Sequence, residues 1–306
     1  MRAGRQWTVH LQAFRRYRRR LAGRFDLVID EVNTMPFFTP LWAGIPSFLL
    51  IFQLAREVWW YESRFPVSGL GYAVEPWYLR AYRRTPAFTI SPSTVDDLRR
   101  FGLQAPITLV PIGIEPAVMV SVPRSSTPTF IYVGRLAPSK RVHDVLVAFH
   151  GLVSSAPQAR LWLVGDGDPP YVRRLRRLVS SLGLDGQVEF CGRLDAEEKH
   201  RRMAQAHALV MASVREGWGL VVTEAAACGT PAIVYDVPGL RDAVRHDQTG
   251  LVVPPAPEHL TAAMRRLIID PLLQERLGAA AREWSRSFSY DRSAQVLREG
   301  IQSQLP

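Results

Sequence analysis

Two glutamates with seven residues between them, Glu216 and Glu224, stand in the glycine-rich segment SVREGWGLVVTEAAACG. Gly217 and Gly219 allow backbone N–H groups to come close to a ligand, because glycine has no Cβ in the way. The helix predicted to begin near Leu220 directs its unsatisfied N–H groups and the positive end of its dipole to the same place. The pattern therefore indicates a site for a phosphate or diphosphate.

The two carboxylates have a different task in such a site. Because like charges repel, we expect Glu216 and Glu224 to accept hydrogen bonds from hydroxyls on either side of the phosphate rather than to bind it. A ligand with hydroxyls on both sides of a diphosphate is a nucleotide sugar. A solvated loop glutamate and a solvated helical glutamate would give the same spacing, but the helix VVTEAAACG carries no other charge and its alanines favour close packing on a sheet.

This segment continues into the strand-like AIVYD and a turn at Pro238 and Gly239, and it resembles the donor-site signature of the family-4 retaining glycosyltransferases, which have the two-domain GT-B fold. The resemblance implies that Glu216 holds sugar hydroxyls and Glu224 the ribose hydroxyls. It also implies front-face attack, in which the leaving phosphate takes the acceptor's proton without a covalent nucleophile or a cofactor. The donor-binding residues that it assigns here are Gly217, Trp218, Gly219, Leu220, Val221 and Glu224.

A second loop, VGRLAPSKR, contains Gly134 at the end of a predicted strand, with Arg135 and Lys140 on either side of the turn. A guanidinium can bind two phosphate oxygens at once and an ammonium adds a compact charge, so both can converge on one diphosphate and stabilise it as it leaves. A surface role explains an isolated strand-end arginine equally well. The loop resembles the diphosphate clamp of the same family, which implies that Arg135 and Lys140 act in catalysis beside Glu216.

Two further loops resemble elements of the family. In LVGDGD, Gly165 stands at the turn that admits the nucleotide, although a purely structural turn explains the same residues; in FCGRL, Gly192 and Arg193 resemble the loop beside the nucleobase. Asp166 and Asp168 form the Asp-x-Asp pattern of metal-dependent transferases, but they belong to the first of these turns. The histidines have no companion ligands at metal-site spacing, so we predict no metal site.

Composition places the chain among ordinary globular proteins. It has 306 residues, enough for two domains, and 47% of them are hydrophobic. The two cysteines, Cys191 and Cys228, form no paired framework, which favours a reducing, cytoplasmic compartment. The apolar stretch over 45–52 is too short to span a bilayer, and the N-terminus has no apolar signal segment.

The formal net charge of +10 is concentrated at the N-terminus, where residues 1–24 contain eight arginines and no acid. A basic helix over this segment can lie on the anionic inner face of a membrane, or it can be a solvated helix on the domain surface; its thin apolar stripe favours the second interpretation. Nucleic-acid binding is excluded as a leading hypothesis, because no helix-turn-helix, zinc or base-stacking motif accompanies the charge.

The first part of the chain contains short apolar runs that predict buried parallel strands: FDLVID, PSFLLIF, AFTIS and ITLVPI. After them the composition loosens to VSVPRSSTP, which is typical of an interdomain linker. We therefore predict a first domain over 1–114, on the acceptor side of the cleft, and a linker over 115–128.

The second part begins again with a strand, a tight loop and a helix, and it continues as repeated strand–helix units. Such repetition predicts a doubly wound parallel sheet, so the expected fold class is α/β with two Rossmann-like domains facing a cleft. We predict a nucleotide-sugar-binding domain over 129–288. The resemblance implies that the terminal helix, within 289–306, crosses back to the first domain.

The first domain departs from the family pattern. Family members open with a strand and a glycine-rich loop, whereas this chain opens with the arginine-rich helix, so we expect the opening part of the N-terminal domain to be missing. In a subset of the family a histidine precedes QLARE, and here Phe52 takes its place. Gln53 and Arg56 are the alternative acceptor-side residues, unless they only cap a strand. Trp59 to Tyr61 form an acceptor or membrane-facing platform, or pack in the core.

Three hypotheses follow. The first is a metal-independent retaining glycosyltransferase that moves a sugar from a nucleotide-diphosphate sugar to a glycan, lipid or small-molecule hydroxyl, with cell-envelope polysaccharide biosynthesis as its setting. The second is a protein that binds the nucleotide sugar but is inactive or truncated. The third, a nicotinamide-dependent enzyme, is disfavoured because no G-x-G-x-x-G follows the first strand of either half.

Overall fold

The computed structural model describes residues 8–115 and 122–305. Within them the chain forms two parallel sheets, one of four strands and one of six, each covered by helices. We call them the four-stranded unit and the six-stranded unit. The predicted α/β fold with two parallel-sheet domains is confirmed. Residues 1–7 of the arginine-rich segment and 116–121 of the predicted linker lie outside the described residues.

The four-stranded unit has its strands in sequence order. Its elements are α1 (Val9–Arg16), β1 (Val28–Val32), β2 (Ser47–Ile51), α2 (Val58–Glu62), α3 (Val67–Tyr78), β3 (Ala87–Thr89), α4 (Pro92–Arg100) and β4 (Ile107–Leu109). Strand β1 begins later than the FDLVID run predicts, because Val28 pairs with Ser47 while Phe25 remains 55% exposed. Apolar side chains of β2 and β3, including Phe48, Leu49 and Phe88, form the core of this unit.

The six-stranded unit has the strand order β10-β9-β8-β5-β6-β7. Its strands are β5 (Thr129–Val133), β6 (Arg160–Val164), β7 (Val188–Gly192), β8 (Ala208–Met211), β9 (Ala232–Tyr235) and β10 (Gly250–Val253). Its helices are α5 (Val142–Val153), α6 (Pro169–Ser181), α7 (Ala196–Gln205), α8 (Leu220–Ala227), α9 (Pro257–Ile269) and α10 (Pro271–Ser285). The order reverses between β5 and β8, and ligands of open parallel sheets bind at such a switch point.

Capping and side-chain size position the helices of the six-stranded unit. Helix α9 ends before Asp270, whose carboxylate accepts the N–H of Leu273 at 2.9 Å and so caps the start of α10. Helix α8 packs on α10, and the small side chains of Ala225 and Ala226 are buried.

A last helix, α11 (Tyr290–Gln302), lies against the four-stranded unit. Ser293 Oγ donates a hydrogen bond of 2.5 Å to the carbonyl oxygen of Pro111, after β4. Gly300 admits the ring of Phe88, since a Cβ there would come within 2.7 Å of that ring. The C-terminal helix thus joins the unit formed by the beginning of the chain.

The described part of the arginine-rich segment, α1 and the turn after it, packs its apolar side on the domain. Phe14 and Tyr17 place their rings 5.4 and 5.0 Å from that of Trp42. Tyr17 also donates a hydrogen bond to the carbonyl oxygen of Ala43 at 2.7 Å. Among the described residues, no helix combines the length and apolarity that crossing a bilayer requires.

Candidate functional site

A cavity of about 630 Å³ lies between the two units, at the carboxyl ends of their parallel strands. The four-stranded unit contributes residues that end or follow β1, β2 and β3, and the six-stranded unit contributes the ends of β5 and β8 with the loops that follow them. The polar and charged side chains of its wall are Glu31, Asn33, Gln53, Arg135, Lys140 and Glu216. The cavity therefore occupies the switch point of the six-stranded sheet.

Lys140 and Glu216 meet at the centre of the six-stranded wall. The ammonium Nζ of Lys140 lies 2.5 Å from Oε1 of Glu216, and Ser213 Oγ donates to the same oxygen at 2.7 Å. The two side chains are only 21% and 14% exposed. An ion pair that is this sheltered, and supported by a hydroxyl, holds both groups in one orientation before any ligand arrives.

The backbone of Glu216 is fixed by the turn that follows β9. Its N–H donates to the carbonyl oxygen of Pro238 at 3.0 Å, and a Cβ at Gly239 would lie 2.0 Å from the carbonyl oxygen of Glu216. Only glycine fits this close approach, at the φ of +81° found there. The Pro-Gly turn seen in the sequence thus positions a carboxylate in the cavity wall.

Helix α8 begins at the cavity. Gly219, its N-cap, has a φ of +79°, and Gly217, Gly219, Leu220 and Val221 all line the cavity wall. Trp218 lines it too, but its indole is 8% exposed and its Nε1–H donates to Thr223 Oγ1 at 2.8 Å. The first turn of α8 therefore lines the same cavity as the Lys140–Glu216 pair.

Arg135 lines the same cavity but binds a carboxylate of the other unit. Its Nη1 lies 3.1 Å from Oε2 of Glu62, at the end of α2, and its side chain is 60% exposed. Ser139 Oγ donates to the second oxygen of Glu62 at 2.5 Å. Arg135 and Lys140, which the sequence predicts to converge on one diphosphate, are therefore held by two different carboxylates.

Glu224 lies one helical turn deeper, outside the cavity wall, and it is held by Lys199 of α7 at 2.7 Å between Nζ and Oε2. The sequence analysis missed Lys199. A signal was present: among the 38 lysines and arginines of the chain only Lys140 and Lys199 are lysines. Each of them binds one of the two glutamates of the opening motif.

Gly165 and Arg193 do not line the cavity. A Cβ at Gly165 would lie 2.0 Å from the carbonyl oxygen of Gly134, so the glycine is required where the loops after β5 and β6 touch. Gly134 itself lines the cavity, and Arg193 is exposed. In the described part of the chain, no group of three or more His, Cys, Asp or Glu side chains is placed to hold a metal ion.

The two acceptor-side residues have different positions. Gln53 lines the cavity, and its buried Oε1 has no hydrogen-bond partner in the described residues. Arg56 lies outside the wall. It donates a hydrogen bond to the carbonyl oxygen of Tyr72 at 2.9 Å, and its guanidinium lies over the Tyr72 ring, 3.9 Å from the ring centre. Phe52, 42% exposed, also lines the cavity.

Arg215, next to Glu216, ties the two units together and was not singled out from the sequence. Its guanidinium lies 2.8 Å from Oε2 of Glu57 and 2.6 Å from Oδ2 of Asp97, both in the four-stranded unit. Burial alone would lower the pKa of Arg215, but the hydrogen bonds and charges of Glu57 and Asp97 outweigh it and raise the pKa overall. The ion triad brings the wall with Phe52 and Gln53 against the wall with Glu216.

Comparison with known proteins gives a family and a fold. The family model described as glycosyl transferases group 1 matches residues 119–284. A glycogen synthase of Mycobacterium tuberculosis (strain CDC 1551 / Oshkosh) is 34% identical over 224 residues, which are 69% of this chain and 52% of that protein. An exopolysaccharide phosphotransferase of Streptomyces coelicolor is 37% identical over 174 residues, 55% of this chain and 18% of that protein.

The chain thus spans about half the length, or less, of these curated relatives. Among solved structures, the Anabaena protein HepE in complex with UDP and glucose superposes with a TM-score of 0.78 at 18% identity, covering 96% of this chain and 81% of that one. At this identity the likeness concerns the fold, and it extends over both units.

Proposed function

Since the chain belongs to the glycosyl transferases group 1 family, we propose that it transfers a sugar from a nucleotide-diphosphate sugar to an acceptor hydroxyl, with retention of the anomeric configuration. The observation that carries the proposal is the pairing of Lys140 with Glu216 beside the start of α8, in a cavity between two sheets. A cation, free backbone N–H groups and a carboxylate are the groups that a diphosphate and a sugar hydroxyl require.

In this reaction the second unit would bind the donor. Lys140, Arg135 and the N–H groups at Gly219 and Leu220 would stabilise the charge that develops on the departing diphosphate. Lys140, held by Glu216, and the N–H groups at the start of α8 are in place before the reaction, so these groups need little reorganisation as charge appears. Arg135 would exchange its contact with Glu62 for a phosphate oxygen, because both partners are anions.

The two glutamates would bind hydroxyls. Glu216 would hold the transferred sugar, since it lies in the cavity wall, and Glu224 would hold the ribose. Lys199 would keep the Glu224 carboxylate oriented. No side chain would act as a covalent nucleophile, and the leaving phosphate would take the proton of the acceptor hydroxyl, as the family resemblance implies. Gly165 and Arg193, outside the cavity wall, remain predicted donor contacts.

The names of the comparison proteins agree with this class of ligand. One relative is a glycogen synthase, and a structure of similar fold holds UDP and glucose. We infer that the donor is a nucleotide-activated hexose and that the acceptor carries a free hydroxyl. Cytoplasmic placement with peripheral contact to the inner membrane face, and a role in cell-envelope polysaccharide biosynthesis, are part of the same proposal.

A specific observation favours a second candidate, a protein that binds the donor without transferring the sugar. Phe52 lines the cavity at the position where the resemblance has a histidine, and a phenyl ring cannot hydrogen-bond an acceptor hydroxyl. Gln53, with a buried amide oxygen that lacks a partner among the described residues, would then be a polar group available on this wall, beside Glu31 and Asn33.

The test combines binding and turnover. UDP- and GDP-sugars are screened first by thermal shift, since a ligand that binds only the folded chain raises its melting temperature. Donors that bind are then incubated with glycan, lipid and small-molecule acceptors, using the wild type and Glu216→Ala. We expect product from the wild type and none from the variant. Unchanged turnover by Glu216→Ala would contradict the proposal. Donor binding by the wild type without turnover of any acceptor would favour the second candidate.

A further inference from the structure

Helix α3 presents a row of large apolar side chains to solvent. Val67, Leu70, Val74 and Trp77 are 57%, 66%, 44% and 66% exposed. Their spacing of three, four and three residues places them on one face of the helix. The opposite face is buried in the four-stranded unit and includes Glu75, 2% exposed. The row is thus not the side of α3 that builds the described core.

Two aromatic residues before α3 extend the row. Phe65 is 82% exposed and Trp60, on α2, is 51% exposed. Both rings lie against α3, 3.6 and 3.7 Å from the place that a Cβ at Gly69 would take. We call the six residues Trp60, Phe65, Val67, Leu70, Val74 and Trp77 the apolar patch. Contiguous exposed surface of this kind marks an interaction site.

Basic side chains flank the apolar patch. Arg64, Arg80, Arg83 and Arg84 are exposed, and none of them forms an ion pair within the described residues. The guanidinium of Arg80 lies 4.4 Å from the centre of the Trp77 ring, at the edge of the patch. The patch therefore combines apolar insertion surface with unneutralised positive charge.

The acids of the same segment do not offset this charge. Glu62 is turned toward the six-stranded unit, where it binds Arg135 and Ser139. Glu75 is buried and accepts the N–H groups of Ala55 and Arg56 at 2.5 and 2.7 Å. A partner that complements the apolar patch and its arginines therefore has anionic groups at its surface and an apolar interior beneath them.

We propose that the apolar patch docks the protein on an anionic lipid bilayer, with α3 lying in the interface. Tryptophan is favoured at the level of the lipid headgroups, aliphatic side chains below it, and arginines at the phosphates. A symmetric dimer through the same face would place the four arginines of one copy against those of the other, which is repulsive. This docking surface rests on the peripheral membrane contact of the proposed function and assigns it to named residues; it needs no donor, so vesicle binding and sugar transfer can be tested separately.

The described part of the arginine-rich segment does not offer the same combination. Phe14 and Tyr17 turn their rings to Trp42, so Leu11, 51% exposed, is the one large apolar side chain that α1 exposes beside Arg18 to Arg20. A basic helix with little apolar surface to insert binds a membrane more weakly, and its binding is more sensitive to salt. The apolar patch, rather than this segment, is expected to determine membrane affinity.

The full-length protein is sedimented with vesicles of phosphatidylcholine, with and without phosphatidylglycerol. We expect binding that increases with the phosphatidylglycerol content. Leu70→Ser/Trp77→Ser should lower the partition coefficient by about tenfold or more, because two inserted side chains are lost. Arg80→Glu/Arg84→Glu should lower it by a similar factor, since each basic residue near an anionic surface contributes about 1 kcal/mol, or about fivefold.

Matched control variants distinguish binding through the apolar patch from nonspecific hydrophobic or electrostatic binding elsewhere on the protein. Leu272→Ser removes an equally exposed residue, 76% exposed, from the six-stranded unit and should leave binding unchanged. Arg19→Glu/Arg20→Glu tests the arginine-rich segment and should have the smaller effect of the two charge reversals. Circular dichroism checks that each variant is folded.

Three outcomes would overturn the proposal. They are wild-type binding that is absent or equal on vesicles without phosphatidylglycerol, binding lost equally in Leu272→Ser, and binding lost only in Arg19→Glu/Arg20→Glu. Light scattering of the free protein is the last check. A concentration-dependent dimer that Leu70→Ser/Trp77→Ser dissolves would assign the patch to a second copy instead.

Discussion

The two walls of the cavity hold their polar groups in different ways. On the six-stranded side, Lys140 and Glu216 bind each other, and Lys199 and Glu224 form a second pair behind them. On the four-stranded side, the wall contains Phe52, the polar side chains of Glu31 and Asn33, and the amide oxygen of Gln53, which has no partner among the described residues.

Three other carboxylates of the four-stranded unit bind cations of the six-stranded unit. Glu57 and Asp97 bind Arg215, and Glu62 binds Arg135, so these acids hold the two units together. The ion pairs of Lys140 and Lys199 therefore lie within the six-stranded unit, whereas those of Glu57, Asp97 and Glu62 cross from one unit to the other.

The largest expected effect comes from removing the cation of the six-stranded wall. Lys140→Ala should lower kcat for sugar transfer by about 10²–10³-fold, as does loss of one group that stabilises developing negative charge in other enzymes. The matched control is the other lysine: Lys199→Ala should act mainly on KM, because Lys199 holds Glu224, which we propose as the ribose ligand. Equal losses of kcat in both variants would contradict the different roles proposed for the Lys140–Glu216 and Lys199–Glu224 pairs.

Breaking the ion triad should have the next largest effect. Arg215→Met leaves Glu57 and Asp97 without their cation and should lower the free energy of unfolding by about 1–3 kcal/mol, the range for buried polar groups that lose a partner. Urea denaturation followed by tryptophan fluorescence measures it. A second transition in the variant would show that the units unfold separately; an unchanged curve would mean that the triad does not join them.

A smaller effect is expected where the two walls compete for one cation. Glu62→Gln frees Arg135 for a phosphate, and exposed ion pairs contribute about 0.2–1 kcal/mol, so the Kd for UDP should fall by up to about fivefold. Glu57→Gln is the control, because Glu57 binds Arg215 and not Arg135. Isothermal titration calorimetry gives both constants. Weaker binding of UDP by Glu62→Gln would contradict the competition.

The smallest effect concerns pH, and its sign differs between the units. In the six-stranded unit burial lowers the pKa of His200 and of His207 below 6.5, so the unfolded chain binds protons that the folded chain does not. Stability should therefore fall as the pH decreases from about 6.5 through the lowered pKa. In the four-stranded unit burial raises the pKa of Glu75. The folded chain therefore takes up a proton there more readily than the unfolded chain, and protonation of Glu75 as the pH falls favours the folded state.

Melting temperatures of the wild type and of His200→Gln, measured from about pH 7.5 to about pH 5.5, test this sign. The variant has one buried histidine fewer to protonate, so its melting temperature should depend less on pH. A steeper dependence in the variant would show that His200 is not a source of acid sensitivity.

Much of the fold could be predicted from the chain, because its signals are local. The runs before Gly134 and after Thr230 are apolar throughout, which is typical of buried parallel strands, and β5 and β9 form there. The start of α8 at Leu220 follows from the glycine before it. The resemblance to glycosyl transferases, carried by the same segments, is confirmed by the family match.

Other features could not be predicted, because they depend on which distant side chains meet. Nothing local distinguishes Arg215 or Glu62 from surface charges, yet both join the units. Arg56 has the charge expected of an acceptor-side residue, but its guanidinium turns to Tyr72. Gly165 matches a nucleotide-binding turn, while its tight contact is with Gly134.

The sequence by itself determined the fold class, the family and the motif of Glu216 and Glu224, because strand and helix signals and glycine turns act within a few residues. Only the tertiary structure decided what those glutamates bind. Lys140 is 76 residues from Glu216 and Lys199 is 25 residues from Glu224, and each pair forms because neighbouring strands and helices of the six-stranded unit bring the loops together. Ion pairing depends on distance in space, which spacing along the chain does not fix.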